Sequence, residues 1–235
     1  VLVAPGHAET LTAQINFNKI GTSVIGLGEG NLRPTLTGNG TIDVIDVSAA
    51  SMTLANFIFA VPSTDAQTSD VNIDAASFSL VNTKHLGSTG SENKVSFITI
   101  TANGDKFVID GMRGYNDTVD MVSGISIEGA ADSGEIKNTV IASSSTLGYS
   151  TGVVDDAAAA TNLWIHECVF KNIKAATAVV TFASNSEGVC NNMYCSGRHT
   201  TIASNIVTGN AMDFYETYVT EQVTVSGLLI PTIDA

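Results

Sequence analysis

Hydrophobic positions along the chain recur in one short pattern: two or three β-prone residues, an apolar anchor, then Asn or Gly two positions later. The pattern stands at Met52-Thr53-Leu54-Ala55-Asn56, Phe78-Ser79-Leu80-Val81-Asn82, Phe107-Val108-Ile109-Asp110-Gly111 and Gly134-Glu135-Ile136-Lys137-Asn138. It continues at Leu163-Trp164-Ile165-His166-Glu167, Gly188-Val189-Cys190-Asn191-Asn192 and Val223-Thr224-Val225-Ser226-Gly227. The anchors Leu54, Leu80, Ile109, Ile136, Ile165, Cys190 and Val225 are separated by 26, 29, 27, 29, 25 and 35 residues. A weaker member, Val24-Ile25-Gly26, lies 30 residues before Leu54. Steps of this size are rungs of a solenoid, in which each repeat buries its apolar face against its neighbours. Only the final step calls for an insertion.

The position two beyond each anchor is Gly26, Asn56, Asn82, Gly111, Asn138, Glu167, Asn192 or Gly227. Asn and Gly tolerate a left-handed backbone, which a sharp corner between two strands requires. Stacked Asn side chains can also hydrogen-bond along the pile. Glu167 is the exception to the pattern.

A second strand precedes each anchor, as in Ile42-Asp43-Val44, Val71-Asn72-Ile73, Ile98-Thr99-Ile100, Ile125-Ser126-Ile127 and Val180-Thr181-Phe182. Its alternation of apolar with polar residues marks one face inward and one in water. A third follows the corner, as in Phe57-Ile58-Phe59, Thr139-Val140-Ile141 and Cys168-Val169-Phe170. Three strands per turn predict an all-β, right-handed parallel β-helix, one domain over residues 1–235. About eight coils at roughly 4.8 Å each give a stack close to ~40 Å tall. Leucine-rich repeats and β-sandwiches lack this period and this repeated corner. Helix is nearly absent, with one turn expected between Asp155 and Thr161.

Composition agrees: 44% hydrophobic residues, 14% charged and four prolines suit short strands joined by tight polar turns. The net charge of −13 argues against a nucleic-acid partner, which needs a positive footprint. No apolar stretch approaches membrane-spanning length. Cys168, Cys190 and Cys195 lack zinc-ligand spacing and read as free core cysteines. No motif calls for a cofactor.

The opening Val1-Leu2-Val3-Ala4-Pro5-Gly6-His7-Ala8-Glu9, with Val24-Ile25-Gly26-Leu27-Gly28 after it, resembles the first coils of the pectin-lyase-like superfamily. With the rungs above, the resemblance covers nearly the whole chain. It implies the β-helix fold but not one activity, because this fold carries lyases, hydrolases, adhesins and phage spikes alike. Such families usually place an amphipathic helix over the first coil. Coil sequence begins here at once, so either upstream residues or another protein is expected to cover that end.

The chemistry implied by these relatives directs attention to particular residues. A lyase needs a base and cationic neutralisation of the substrate carboxylate. Arg113, near Asp110, Tyr115, Asp117 and Asp120, is the candidate base. A hydrolase needs paired carboxylates, and Asp155-Asp156 is the only acidic doublet; the Asn-Thr-Asp and Gly-His-Gly motifs of polygalacturonases are absent. Asp43, Asp46, Asp70 and Asp74 are candidate calcium ligands, weighed against a solvated acidic face. His7, His85, His166 and His199 share no spacing and read as surface residues. Trp164 is the first candidate contact aromatic, and Tyr115, Tyr149, Tyr194, Tyr215 and Tyr218 are the others, with Tyr215 and Tyr218 expected to form a small platform.

The expectation is a non-enzymatic virion protein, a phage capsid decoration or tail-associated component. It would form a homo-trimer in contact with other virion proteins. The alternatives are a polysaccharide lyase or glycoside hydrolase acting on acidic glycans, and an extracellular adhesin bound to a cell-surface glycan.

Overall fold

A computed structural model describes residues 1–60, 67–87, 94–117, 120–143, 147–198, 206–207, 211–225 and 228–234. The chain is an all-β parallel solenoid of about seven turns, and the only helical piece among the described residues is a 3₁₀ turn at Gly30–Leu32. Eight strands, from Ile15–Phe17 to Ile206–Val207, stack as one sheet in chain order. Their seven steps make a stack about 34 Å tall. The four alanines after Asp156 form no helical turn; Ala159 takes a left-handed conformation instead, with φ 60°.

The anchors lie in one register. Val24, Leu54, Leu80, Ile109, Ile136, Ile165 and Cys190 pair rung to rung, and the column continues at Phe214. From Leu54 to Cys190 every anchor is fully buried. The last anchor is therefore Phe214, 24 residues after Cys190, and the step of 35 disappears. Val225 belongs to the strand Tyr218–Val225, which pairs antiparallel with Leu228–Asp234. The sequence pattern points to Val225 as well because Val-Thr-Val alternates as readily in a hairpin as in a coil.

Left-handed residues flank the anchors, ending the short strands Thr53–Ala55, Ser79–Val81, Val108–Asp110 and Glu135–Lys137, whereas Leu163–Ala175 and Glu187–Arg198 run on through their corners. Two positions after the anchor, Asn56, Asn82, Gly111, Asn138, Glu167, Asn192 and Glu216 have φ between 47° and 72°. Three positions before it, Gly21, Ser51, Ser77, Lys106, Ser133 and Asn162 have φ between 52° and 73°. The flipped peptide reverses the direction of pairing. Asn82 N–H donates to Asp110 O of the following rung at 2.8 Å, whereas Ser79 N–H donates backward to Met52 O.

Two expected corners differ. Gly26 is not left-handed; that conformation falls at Gly28, with φ 102°. Gly26 is required for room, since a Cβ there would meet Asn56 O at 2.4 Å. Gly227 lies outside the described residues, and Glu216 closes the last anchor strand. Side chains reinforce the corner column. Asn82 Nδ2 donates to Asn56 Oδ1 at 3.0 Å, Asn138 Nδ2 to Asp110 Oδ1 at 2.8 Å, and Asn56 Nδ2 to the carbonyls of Gly26 and Gly28.

Five residues after each anchor a second inward column forms: Phe59, His85, Gly114, Ile141, Phe170, Cys195 and Val219. His85 thus occupies a core position, fully buried, rather than the surface expected of it. Cys168, Cys190 and Cys195 are free and buried, and desolvation pushes the thiols of Cys168 and Cys195 up to about 12.

Candidate functional site

Two places in the solenoid concentrate chemistry, one inside the coil and one on its surface. The interior cluster is built on Asp70. The Asp70 and Val71 amides both donate to Phe97 O, at 3.0 and 3.1 Å, a bulge that turns the carboxylate into the core. There Lys94 Nζ donates to Asp70 Oδ1 at 2.8 Å, and Gln67 Nε2 donates to the same oxygen at 2.7 Å. His85 Nδ1 lies 2.9 Å from Asp70 Oδ2, and its Nε2 lies 2.9 Å from Thr83 Oγ1. The His85 ring stacks on Phe59 with centroids 4.7 Å apart, and Lys94 Nζ sits 5.6 Å above the Phe97 ring.

All these charged groups are buried. Burial lowers the pKa of His85 and of Lys94, only partly offset by Asp70. Burial also works to raise the Asp70 carboxyl, but Lys94 and His85 outweigh it and hold its pKa below the usual value. An Asp–His–Thr chain has the connectivity of a hydrolytic triad, yet it is closed to solvent.

The surface site lies along the edge joining the anchor face to the next face. Outward residues Val140, Val169, Tyr194 and Tyr218 stand in register on successive rungs. Val169, Tyr194 and Tyr218 are all substantially exposed, and a cleft of about 330 Å³ opens between them and Glu167, Cys168 and Met193. Across the corner, Trp164 stacks on His166 with ring centroids 4.0 Å apart. His166 Nε2 lies 3.0 Å from Glu135 Oε1, and Nδ1 lies 3.7 Å from Glu167 Oε2. Tyr215 continues the column of His166 and Asn191. Burial works to raise the Glu135 carboxyl, but His166 and Lys137 prevail and lower its pKa. The structure therefore brings Trp164, Tyr215 and Tyr218 to one edge, with Tyr194 and Val169 between them. Tyr194 is among the candidate tyrosines, but its pairing with Tyr218 follows only from the true last rung.

The other sequence candidates do not converge. Arg113 is exposed, and its guanidinium reaches the corner carbonyl of Asn138 at 3.5 Å. Its neighbour in register on the preceding rung is Lys84. Asp110 is engaged with Asn138, and Asp120 pairs with Lys174. Adjacent strand residues point to opposite sides, so Asp155 and Asp156 diverge. Asp156 is fully buried and accepts hydrogen bonds from Ala160 N and, at 2.5 Å, from Ser186 Oγ. Asp155 stands outward between Ser126 and Thr181, and partial burial raises its pKa.

The four candidate calcium ligands are likewise spread out. Asp43 accepts from Ser69 Oγ at 2.6 Å, Asp46 from Asn72, and Asp74 from Thr101 and Asn103, whereas Asp70 lies inside. Among the described residues, no group of three or more His, Cys, Asp or Glu side chains is placed to hold a metal ion. His7 is exposed beside Glu9, and His199 lies outside the described residues. No family model, curated protein or solved structure matches the chain.

Proposed function

We propose that this β-solenoid is a non-enzymatic structural protein of a virion, a capsid decoration or tail-associated component of the pectin-lyase-like kind. It works as a homo-trimer and docks other virion proteins. The observation that carries the reading is the exposed row Val169, Tyr194 and Tyr218, with Trp164 and Tyr215 beside it. Aromatic residues with polar tips and little side-chain entropy to lose are the residues that dominate protein contacts. A rigid stack of short strands holds them at a fixed spacing, so a partner meets a preorganised surface. The net charge of −13 favours docking on a basic surface.

Replacing Trp164, Tyr194 and Tyr218 together by Ser tests the reading. The expected outcome is a folded chain whose assembled mass falls. An unchanged assembly state in a correctly folded triple variant contradicts it.

One arrangement favours a second reading, turnover of an acidic glycan at the cell surface. Glu135 and Glu167 flank His166 beside the Trp164 ring, which places candidate acid and base groups next to a sugar-stacking platform. Release of new reducing or unsaturated ends from acidic polysaccharides, abolished in Glu135→Gln, would support this reading over the first.

A further inference from the structure

The interior cluster holds an amine and a carboxylate in contact, out of water, with a third group bound to the far oxygen of the carboxylate. Lys94 Nζ is 2.8 Å from Asp70 Oδ1, and both side chains are at most 1% exposed. His85 Nδ1 is 2.9 Å from Asp70 Oδ2. Phe59 and Phe97 pack around the group, by stacking on His85 and by lying beneath the Lys94 ammonium. We propose that Lys94 and Asp70 condense spontaneously to an intramolecular isopeptide bond, with His85 as the group that assists the step.

The reaction balances without any co-reactant. Lys94 passes one ammonium proton to Asp70 Oδ1 within the pair, leaving a neutral amine and a neutral carboxylic acid. The nitrogen lone pair attacks Cγ, and the π electrons of the Cγ=Oδ2 bond move onto Oδ2. His85 Nδ1–H faces that oxygen and stabilises the developing charge, its tautomer assigned from the carboxylate on one side and the Thr83 hydroxyl on the other. A second proton moves from nitrogen to Oδ1, the electrons on Oδ2 re-form the Cγ=Oδ2 double bond, the Cγ–Oδ1 bond breaks, and Oδ1 departs as water. The nitrogen keeps one hydrogen as the new amide N–H.

Three features favour condensation over a lasting ion pair. Lys94 and His85 keep the Asp70 pKa lowered at rest, but the proton has to cross only the one hydrogen bond from Nζ to Oδ1, and its transfer leaves no net charge to solvate in the dry core. Burial lowers the Lys94 ammonium pKa, which brings the amine toward its nucleophilic form. Fixed contact replaces a bimolecular encounter, and the dry interior withholds the water that would reverse the reaction. The buried Gln67 Oε1, an acceptor without a hydrogen-bond partner beside the reacting carboxylate, can take up the water released.

The bond would tie Asp70 to Lys94, the first described residues of their rungs being Gln67 and Lys94, which face each other as a parallel bridge. It would lock adjacent rungs together covalently, a gain for a protein exposed to mechanical or proteolytic stress.

Intact-mass measurement of the denatured full-length chain decides the matter. The expected mass is lower than that of the sequence by one water. Trypsin should then fail to cleave after Lys94 and should release a branched peptide joining the segment that holds Asp70 to the one that begins at His85. Lys94→Arg keeps the cation but removes the nucleophile and should restore the full mass, while freshly synthesised His85→Gln should lose its water more slowly than the wild-type chain. The full sequence mass in the folded wild-type chain, with ordinary cleavage after Lys94, overturns the proposal. So does loss of water that persists in Lys94→Arg.

Discussion

The indole of Trp164 lies over the imidazole of His166, their planes within 23° of parallel and their centroids 4.0 Å apart. The stack is on the surface, with Trp164 46% exposed. It is held from below, because His166 is in contact with Glu135 on the preceding rung. Since this is the only Trp in the chain, its emission reports on the aromatic edge and on nothing else.

Trp164→Ala should therefore separate folding from contact. The exposed ring adds little to the fold, so its removal should change unfolding free energy by less than about 1 kcal/mol. Assembly should weaken by a larger amount, of the order of 2 kcal/mol if this ring is an anchor of the interface. Urea unfolding and sedimentation of the same preparation check both. A large loss of stability with unchanged assembly would assign Trp164 to the core instead.

The left-handed corners give a second test. In Asn82→Val or Asn138→Val, a β-branched residue must adopt φ 50°, at a cost of about 1–2 kcal/mol. The side-chain hydrogen bond to the preceding rung is lost as well, adding about 1 kcal/mol. The reverse change, Ser51→Gly, relieves a φ of 59° at an exposed position and should stabilise by up to about 1 kcal/mol. Equilibrium denaturation of the three variants measures these shifts. Unchanged stability in both Asn variants would contradict the corner assignment.

The pH dependence follows from His85. Burial is the main cause of its lowered pKa, and burial acts whether or not Lys94 and Asp70 have condensed. The unfolded chain therefore binds a proton that the folded chain refuses. This contribution to stability is fully present above the ordinary histidine value of 6.5, and it declines as pH falls from there toward the depressed folded pKa. Thermal unfolding followed from about pH 7 to pH 5 should show a falling midpoint, and a shallower fall in His85→Gln, which keeps a donor but does not titrate. An equal slope in the variant would place the titration elsewhere.

The solenoid was legible because one physical requirement repeats. Each rung must turn a corner, and Asn56, Asn82, Gly111, Asn138 and Asn192 are the residues that do so at least cost. The corner on the other side of the anchor was invisible, because Ser51, Ser77, Lys106 and Ser133 adopt the same backbone without the residue type that announces it. There the flanking rungs impose the geometry, as they do for Glu167 and Glu216.

The interior cluster was half legible. His85 lies five residues beyond Leu80, as Phe59 does beyond Leu54 and Phe170 beyond Ile165. That spacing alone places it inward. Asp70 gave no such signal, because alternation from Val71 and Ile73 points it outward and only the bulge at Phe97 O turns it in. The surface edge depended on register: Tyr194 and Tyr218 become neighbours only when Phe214 is recognised as the last anchor.

The central claim, that this solenoid works by making contacts along its aromatic edge, is tested most directly by the absolute mass of the purified chain in light scattering. The expected result is a particle of about three chains, each of 24.3 kDa, or association that ceases when Trp164, Tyr194 and Tyr218 are replaced. A monodisperse monomer that persists as concentration rises would contradict it and would turn attention to Glu135 and Glu167.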